Sequence, residues 1–167
     1  MKKLLLILIV MFCSAFANAQ NFEKLSTKEI NENKTPRAIA YNFIKTIIDE
    51  DYQTMLQYTS QSLKDDIYSM MADENISISQ LFSNDQNYIH DIVDMRPFIK
   101  NGNGEWVIVG EGVFDCPFEG PYKGLPLNYV DFECVNTKQT ALINQGDSNV
   151  EIYLMKADGK WKIFGFK

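Results

Sequence analysis

Ile39, Phe43, Ile44, Ile47 and Ile48 lie at spacings that put them on one helical face. Thr35-Pro36 supplies an N-cap and a first-turn proline, so the pattern predicts a helix from about Pro36 to Asp49. The acidic run Asp49-Glu50-Asp51 interrupts it, and Asp51 can cap a second, short helix through Tyr52, Met55 and Leu56. A third stripe, Leu63, Ile67, Met70 and Met71, ends near Asp73. Ser77 or Ser79 can start one more turn holding Leu81 and Phe82, before a loop at SNDQN.

From Tyr88 the apolar period shortens to two, as expected where helices give way to sheet. Ile89, Val93, Met95 and Ile99 alternate with His90, Asp94 and Arg96, which predicts a strand with Pro97 at an edge or bulge. Asn101-Gly102-Asn103-Gly104 predicts a tight turn. Trp106 to Cys116 predicts a strand with Val107, Val109 and Val113 on one face and Trp106, Ile108 and Phe114 on the other. Tyr129 to Ile143 predicts one long strand or two joined by a bulge, and Val150, Ile152 and Leu154 begin the next. Asp158-Gly159 is a hairpin turn ahead of a closing strand, Trp161 to Phe166. Helices followed by hairpin-linked strands predict an α+β fold, with N-terminal helices packed on one face of a strongly curved antiparallel sheet of four to six strands. The single domain spans about 35–167, and the polar, unpatterned stretch 20–34 reads as a flexible N-terminal arm.

The first twenty residues change the compartment. Lys2 and Lys3 precede an apolar run from Leu4 to Phe12, followed by Ala17-Asn18-Ala19, the order of a secretory leader with an A-x-A cleavage site after Ala19. The run is shorter than the roughly 20 apolar residues that a membrane span needs. The protein is therefore expected outside the cytoplasm, periplasmic or extracellular, with no membrane span once the leader is removed. Loss of residues 1–19 leaves 148 residues, with 14 basic against 22 acidic, a net charge near −8. Such a chain repels nucleic-acid phosphate, because Lys and Arg supply most of that affinity through counterion release.

Cys116 and Cys134 remain after the leader takes Cys13 away, an even count in a compartment that permits disulfides. A Cys-x-x-Cys spacing is absent, and two cysteines are too few for structural zinc. A strand pair turning near Gly120 to Gly124 would set them opposite or diagonal to one another, within disulfide range, and closing that loop is worth about 3 kcal/mol. A Cys116–Cys134 disulfide is expected.

His90 is the only histidine, and YIHDIVD places Asp91 beside it and Asp94 four further on. A His-Asp pair can act as a general base with its orienting carboxylate. In a strand, however, His90 and Asp91 point to opposite faces, and His90 and Asp94 stand roughly 13 Å apart. A catalytic role for His90 therefore requires a helix or loop at this point. The acidic runs at 49–51 and 65–66 lack the spaced carboxylates and central glycine of a calcium loop, so no metal is expected. Nucleophile-elbow, zinc-helix, phosphate-loop and dinucleotide motifs do not occur, and no cofactor is expected. Tyr58, Trp106, Phe114, Phe132 and Trp161 are the candidates to line an apolar ligand pocket, with plain core packing as the alternative.

Two stretches carry a resemblance. TPRAIAYNFIKTIIDEDYQTMLQYTS and ADGKWKIFGFK, together about a quarter of the domain, resemble the opening and the closing hairpin of secreted bacterial members of the nuclear transport factor 2-like superfamily. That family usually has glycine before the Asp-Tyr pair, where this chain has Glu50. The resemblance implies a cone in which a bent sheet wraps the long first helix and leaves an apolar pocket at the open end. The superfamily uses that pocket for isomerases, dehydratases and simple binding modules, so fold alone does not fix activity. The expectation is a secreted, non-enzymatic binding module that holds a small apolar ligand in the cone or meets a protein partner, including a second copy of itself, through the sheet face. The alternatives are an isomerase- or dehydratase-like enzyme using His90 and a pocket acid, and an envelope interaction or immunity-type protein with a closed core.

Overall fold

The structure is a computed structural model that describes residues 22–83, 90–117, 122–137, 141–142 and 149–166. The expected leader, 1–19, lies outside the described residues.

The stretch expected as a flexible arm carries structure over its described part. Ser26 caps a short helix, α1 (Thr27–Glu32), by accepting from the Glu29 amide. Glu23 exchanges two backbone hydrogen bonds with Ile108, of 3.1 and 2.9 Å. Arg37 bridges Glu23, Glu29 and Glu111. What organises this segment is backbone pairing, a cap and charge, none of which shows as hydrophobic periodicity.

Helix α2 (Pro36–Ile48) starts where expected, with the Thr35 hydroxyl accepting from the Ala38 amide. Its apolar face is buried along its length, and Phe43, Ile44 and Ile47 have no exposure. Asp51 caps α3 (Tyr52–Tyr58) through the Thr54 amide, Ser60 caps α4 (Gln61–Glu74), and a Ser77/Gln80 capping box opens α5 (Ile78–Leu81). Between α2 and α3, Glu50 takes a left-handed φ of +62°, the conformation that glycine adopts most easily. Arg96 secures the turn, donating 2.9 Å hydrogen bonds from Nη1 to Glu50 and from Nη2 to the Ile47 carbonyl at the negative end of α2.

Residues 90–100 correct the sequence reading. They form a helix, α6 (His90–Lys100), with Pro97 inside it, rather than a strand. Ile92, Met95 and Ile99 supply an i, i+3, i+7 stripe in which Ile92 and Met95 are buried, whereas the alternation left Ile92 out and joined Met95 and Ile99 to Val93 at the wrong period. The Asn101–Gly104 turn therefore joins a helix to a strand, with Gly102 at φ +69°.

The rest of the chain is an open antiparallel sheet of order β1-β2-β4-β5, comprising β1 (Gly104–Asp115), β2 (Pro126–Asn136), β4 (Asn149–Ala157) and β5 (Lys160–Phe166). A two-residue strand, β3 (Ala141–Leu142), folds back on β2. The architecture is thus α+β, helices first and antiparallel sheet after. Trp106, Ile108, Val130, Phe132, Cys134, Val150, Ile152, Leu154 and Ile163 form the core with the helices. Backbone pairing protects parts of both sheet edges: Thr59 bridges β5 in parallel, the Ser60 amide donates to Ile163 at 2.7 Å, and Glu23 pairs with β1.

A register shift between Ile108 and Gly110 corrects the face assignment in β1. The extra residue reverses the alternation beyond it, so Val113 falls on the side of Trp106 and Ile108 while Phe114 turns to the outer face. The expected disulfide is also corrected: Cys116 and Cys134 are both free and buried. Cys134 pairs across the ladder with Trp106, whereas the Cys116 amide donates to Leu125 at the hairpin end, nine residues or roughly 30 Å along β2 from Cys134. They also face opposite sides, Cys134 in the helix-covered core and Cys116 in a smaller cluster with Leu127 and Met155. The turn begins directly after Cys116, so the ladder is set nine residues away from the register that a bridge would need.

Unreduced protein, unfolded in denaturant and alkylated, should gain one adduct on Cys116 and one on Cys134 by peptide mass, and a disulfide-linked peptide pair would contradict the register. Arg96→Ala should cost about 2 kcal/mol in denaturant unfolding, because it strips a charged double donor from the α2 terminus. Glu50→Gly, which loses an ion pair but relieves a left-handed residue, should stay within about 1 kcal/mol of the parent.

Candidate functional site

The five aromatic candidates separate into three places. Trp106 and Phe132 are core, 7% and 0% exposed. Tyr58 and Trp161 meet in a cleft beside the β4–β5 hairpin. Phe114 lies on the opposite, outer face of the sheet, with its ring centroid 6.0 Å from Tyr129 and 6.2 Å from Tyr153. His90 begins α6 and its side chain lies outside the described residues. The helix places position 90 one turn from Asp94, on the face opposite buried Ile92 and Met95, and Asp94 is exposed.

The Tyr58–Trp161 cleft has a volume of about 680 Å³ and lies between the start of α2, the end of α3 and the β4–β5 hairpin. Asn33, held at a left-handed φ of +52°, donates from its amide to the Tyr58 hydroxyl at 3.2 Å and accepts from Asn42 at 2.8 Å. Lys156 Nζ stands 5.3 Å from the centre of the Trp161 ring, a cation–π arrangement. Lys162 donates to the Gln57 carbonyl in the last turn of α3. Lys34 and Lys160 complete a ring of four lysines. Burial, with Lys64 and Lys160 nearby, lowers the Lys162 pKa.

A second cleft, also about 680 Å³, runs along the outer face. Buried Cys116, Leu127 and Met155 make its floor, and Tyr122, Tyr153 and Phe164 stand over them. Tyr122 packs edge-on against Phe164 at 4.8 Å. Gln61, Ser62, Asp65 and Asp66 on α4 give it one polar wall. Burial, then Glu151 and Asp131, pushes the Tyr153 phenol up and keeps it neutral. Of the five large hydrophobic side chains that are exposed among the described residues, four, Val113, Phe114, Tyr122 and Leu125, cluster at this hairpin end.

Tyr122, Leu127, Tyr153, Met155 and Phe164 were not among the sequence candidates. The available signal was that β4 and β5 carry large apolar residues on both faces, Ile152 and Leu154 against Tyr153 and Met155, which a sheet covered on one side only does not require.

Among the described residues no three His, Cys, Asp or Glu side chains gather as a metal-ligand group, and no helix is long and apolar enough to cross a membrane. Compared with protein-family models, with curated proteins and with solved structures, the chain gives no match.

Burial, reinforced by Glu105, pushes the Cys134 thiol up from 9.0 to about 12. Cys134 in the folded protein should therefore resist maleimide at pH 9 and react fully once unfolded, as followed by peptide mass. The sign is that of an acid whose neutral form is favoured in the fold. Its contribution to stability is full below pH 9 and declines as pH rises from there toward about 12. Rapid labelling of Cys134 in folded protein would contradict that burial.

Proposed function

We propose that this chain is an exported, non-catalytic binding module of the nuclear transport factor 2-like kind, which takes a small apolar ligand in the groove on the outer face of its sheet. The observation that carries the reading is the exposure of Phe114, Tyr122 and Leu125 at the hairpin end, beside a groove floored by Cys116, Leu127 and Met155. Water-facing apolar surface of that kind, rimmed by the polar α4 wall, supports a binding role. The groove offers stacking rings and a dry floor. A ligand would gain about 25 cal/mol for each Å² of apolar surface it removes from water.

Several features support the family reading: the order of helices before an antiparallel meander, a capped long helix buried on one sheet face, and a left-handed residue where that family has glycine. Export rests on the leader-like pattern of residues 1–19.

The test is titration with a neutral apolar fluorophore, N-phenyl-1-naphthylamine. Saturable enhancement is expected, weakened about tenfold by Tyr122→Ser, a loss of about 1.4 kcal/mol. Tyr122 is exposed and bears no core load, so the variant should keep the parent's unfolding midpoint. Absence of saturable binding, or unchanged affinity in the variant, would sink this reading.

A further inference from the structure

The lysines around Tyr58 and Trp161 stand apart from most of the other described basic residues. Of those, the following are matched with carboxylates: Lys24 with Glu105, Lys28 with Glu32, Arg37 with Glu23, Glu29 and Glu111, Lys45 with Asp49, and Arg96 and Lys100 with Glu50. Lys34, Lys156, Lys160 and Lys162 have no carboxylate within ion-pair distance among the described residues, and none of the residues lining their cleft is acidic. This is a chain with 22 acidic residues against 16 basic, so a hollow with four cations and no acid runs against its overall charge.

Burial first, then Lys64 and Lys160, lowers the Lys162 pKa, so a negative charge in the cleft would favour its ammonium form. The neutral groups are arranged to help. The Tyr58 hydroxyl accepts from Asn33, which leaves its own proton free to donate into the cleft, and Thr54 adds a second hydroxyl. Ile39 and the Trp161 ring supply an apolar floor.

We propose that this cleft is a second binding site, specific for a compact polyanion carrying two or more carboxylate or phosphate groups. A volume of about 680 Å³ suits a ligand of that size. A nucleic acid is disfavoured, because a long phosphate backbone would have to run past the acidic remainder of the surface. The site uses none of the residues of the outer groove, so either assignment can fail alone.

The experiment is calorimetric titration of the whole exported chain with citrate and, separately, with pyrophosphate. Saturable binding of at least one is expected, and whichever binds more tightly identifies carboxylate or phosphate as the natural group. The double variant Lys34→Gln/Lys160→Gln removes two exposed lysines without structural partners, and should weaken binding at least about tenfold while leaving naphthylamine binding unchanged. Trp161 gives an independent readout, since the only other tryptophan, Trp106, is buried. Iodide should quench the fluorescence more than caesium does, and the binding anion should protect against iodide. No binding of either anion, undiminished binding in the double variant, or caesium quenching equal to iodide quenching would each overturn the proposal.

Discussion

Helix α2 is pressed into one face of the sheet, and the rest of the molecule is arranged around that contact. Phe43, Ile44 and Ile47 on the helix and Phe132, Ile152, Leu154 and Ile163 on the strands share complete burial. Each such side chain contributes about 1.5–3 kcal/mol by leaving water, so this seam outweighs any single cap or ion pair. It also fixes which side of the sheet is dry, because a one-residue slip in any strand would turn its apolar set the other way. The bulge at Val109 is where β1 makes that turn deliberately. Upstream of it β1 serves the core, and downstream it presents Phe114 to the outer face.

The two clefts follow from how the helices are distributed. They cover one face and leave the other to α4, which reaches it only along one margin. The outer face is therefore free to carry rings that the core has no room for, and Tyr122, Tyr153 and Phe164 stand there over a small dry floor. The cationic cleft arises where the β4–β5 hairpin meets the start of α2 and the end of α3 and brings Lys156, Lys160 and Lys162 together with Lys34. One cleft thus gathers apolar side chains and the other gathers lysines without carboxylate partners, which suits two ligands of different chemistry.

Much of the helical half was legible in the sequence because its signals are local. Thr35-Pro36, Asp51 and Ser77 each do in the structure what a cap does, and the Ile39–Ile48 stripe needed only a period of 3.6. Residues 90–100 were misread because Val93, Met95 and Ile99 gave an alternation of period two, whereas the helix buries Ile92 and Met95 and accommodates Pro97. The cysteine pairing failed on register, which depends on where the turn falls and cannot be read from composition between two strands. Of the candidate site, Tyr58 and Trp161 were found as aromatics, but the lysines around them were not. Their meaning lies in a lining that holds four lysines and no carboxylate, a property of space rather than of sequence neighbours, since Asp158 lies between Lys156 and Lys160 in the chain without lining the cleft.

The division between a filled helix-covered face and a working outer face is tested most directly by mapping the naphthylamine site with NMR chemical-shift perturbation on uniformly labelled protein. Shifts should gather at Phe114, Tyr122, Tyr153 and Phe164, on one side of the sheet, and leave Phe43, Phe132 and Trp161 in place. Perturbations centred on the α2 seam or on Trp161 would mean that the apolar site lies inside the fold or in the lysine cleft, and would contradict the assignment of the outer face.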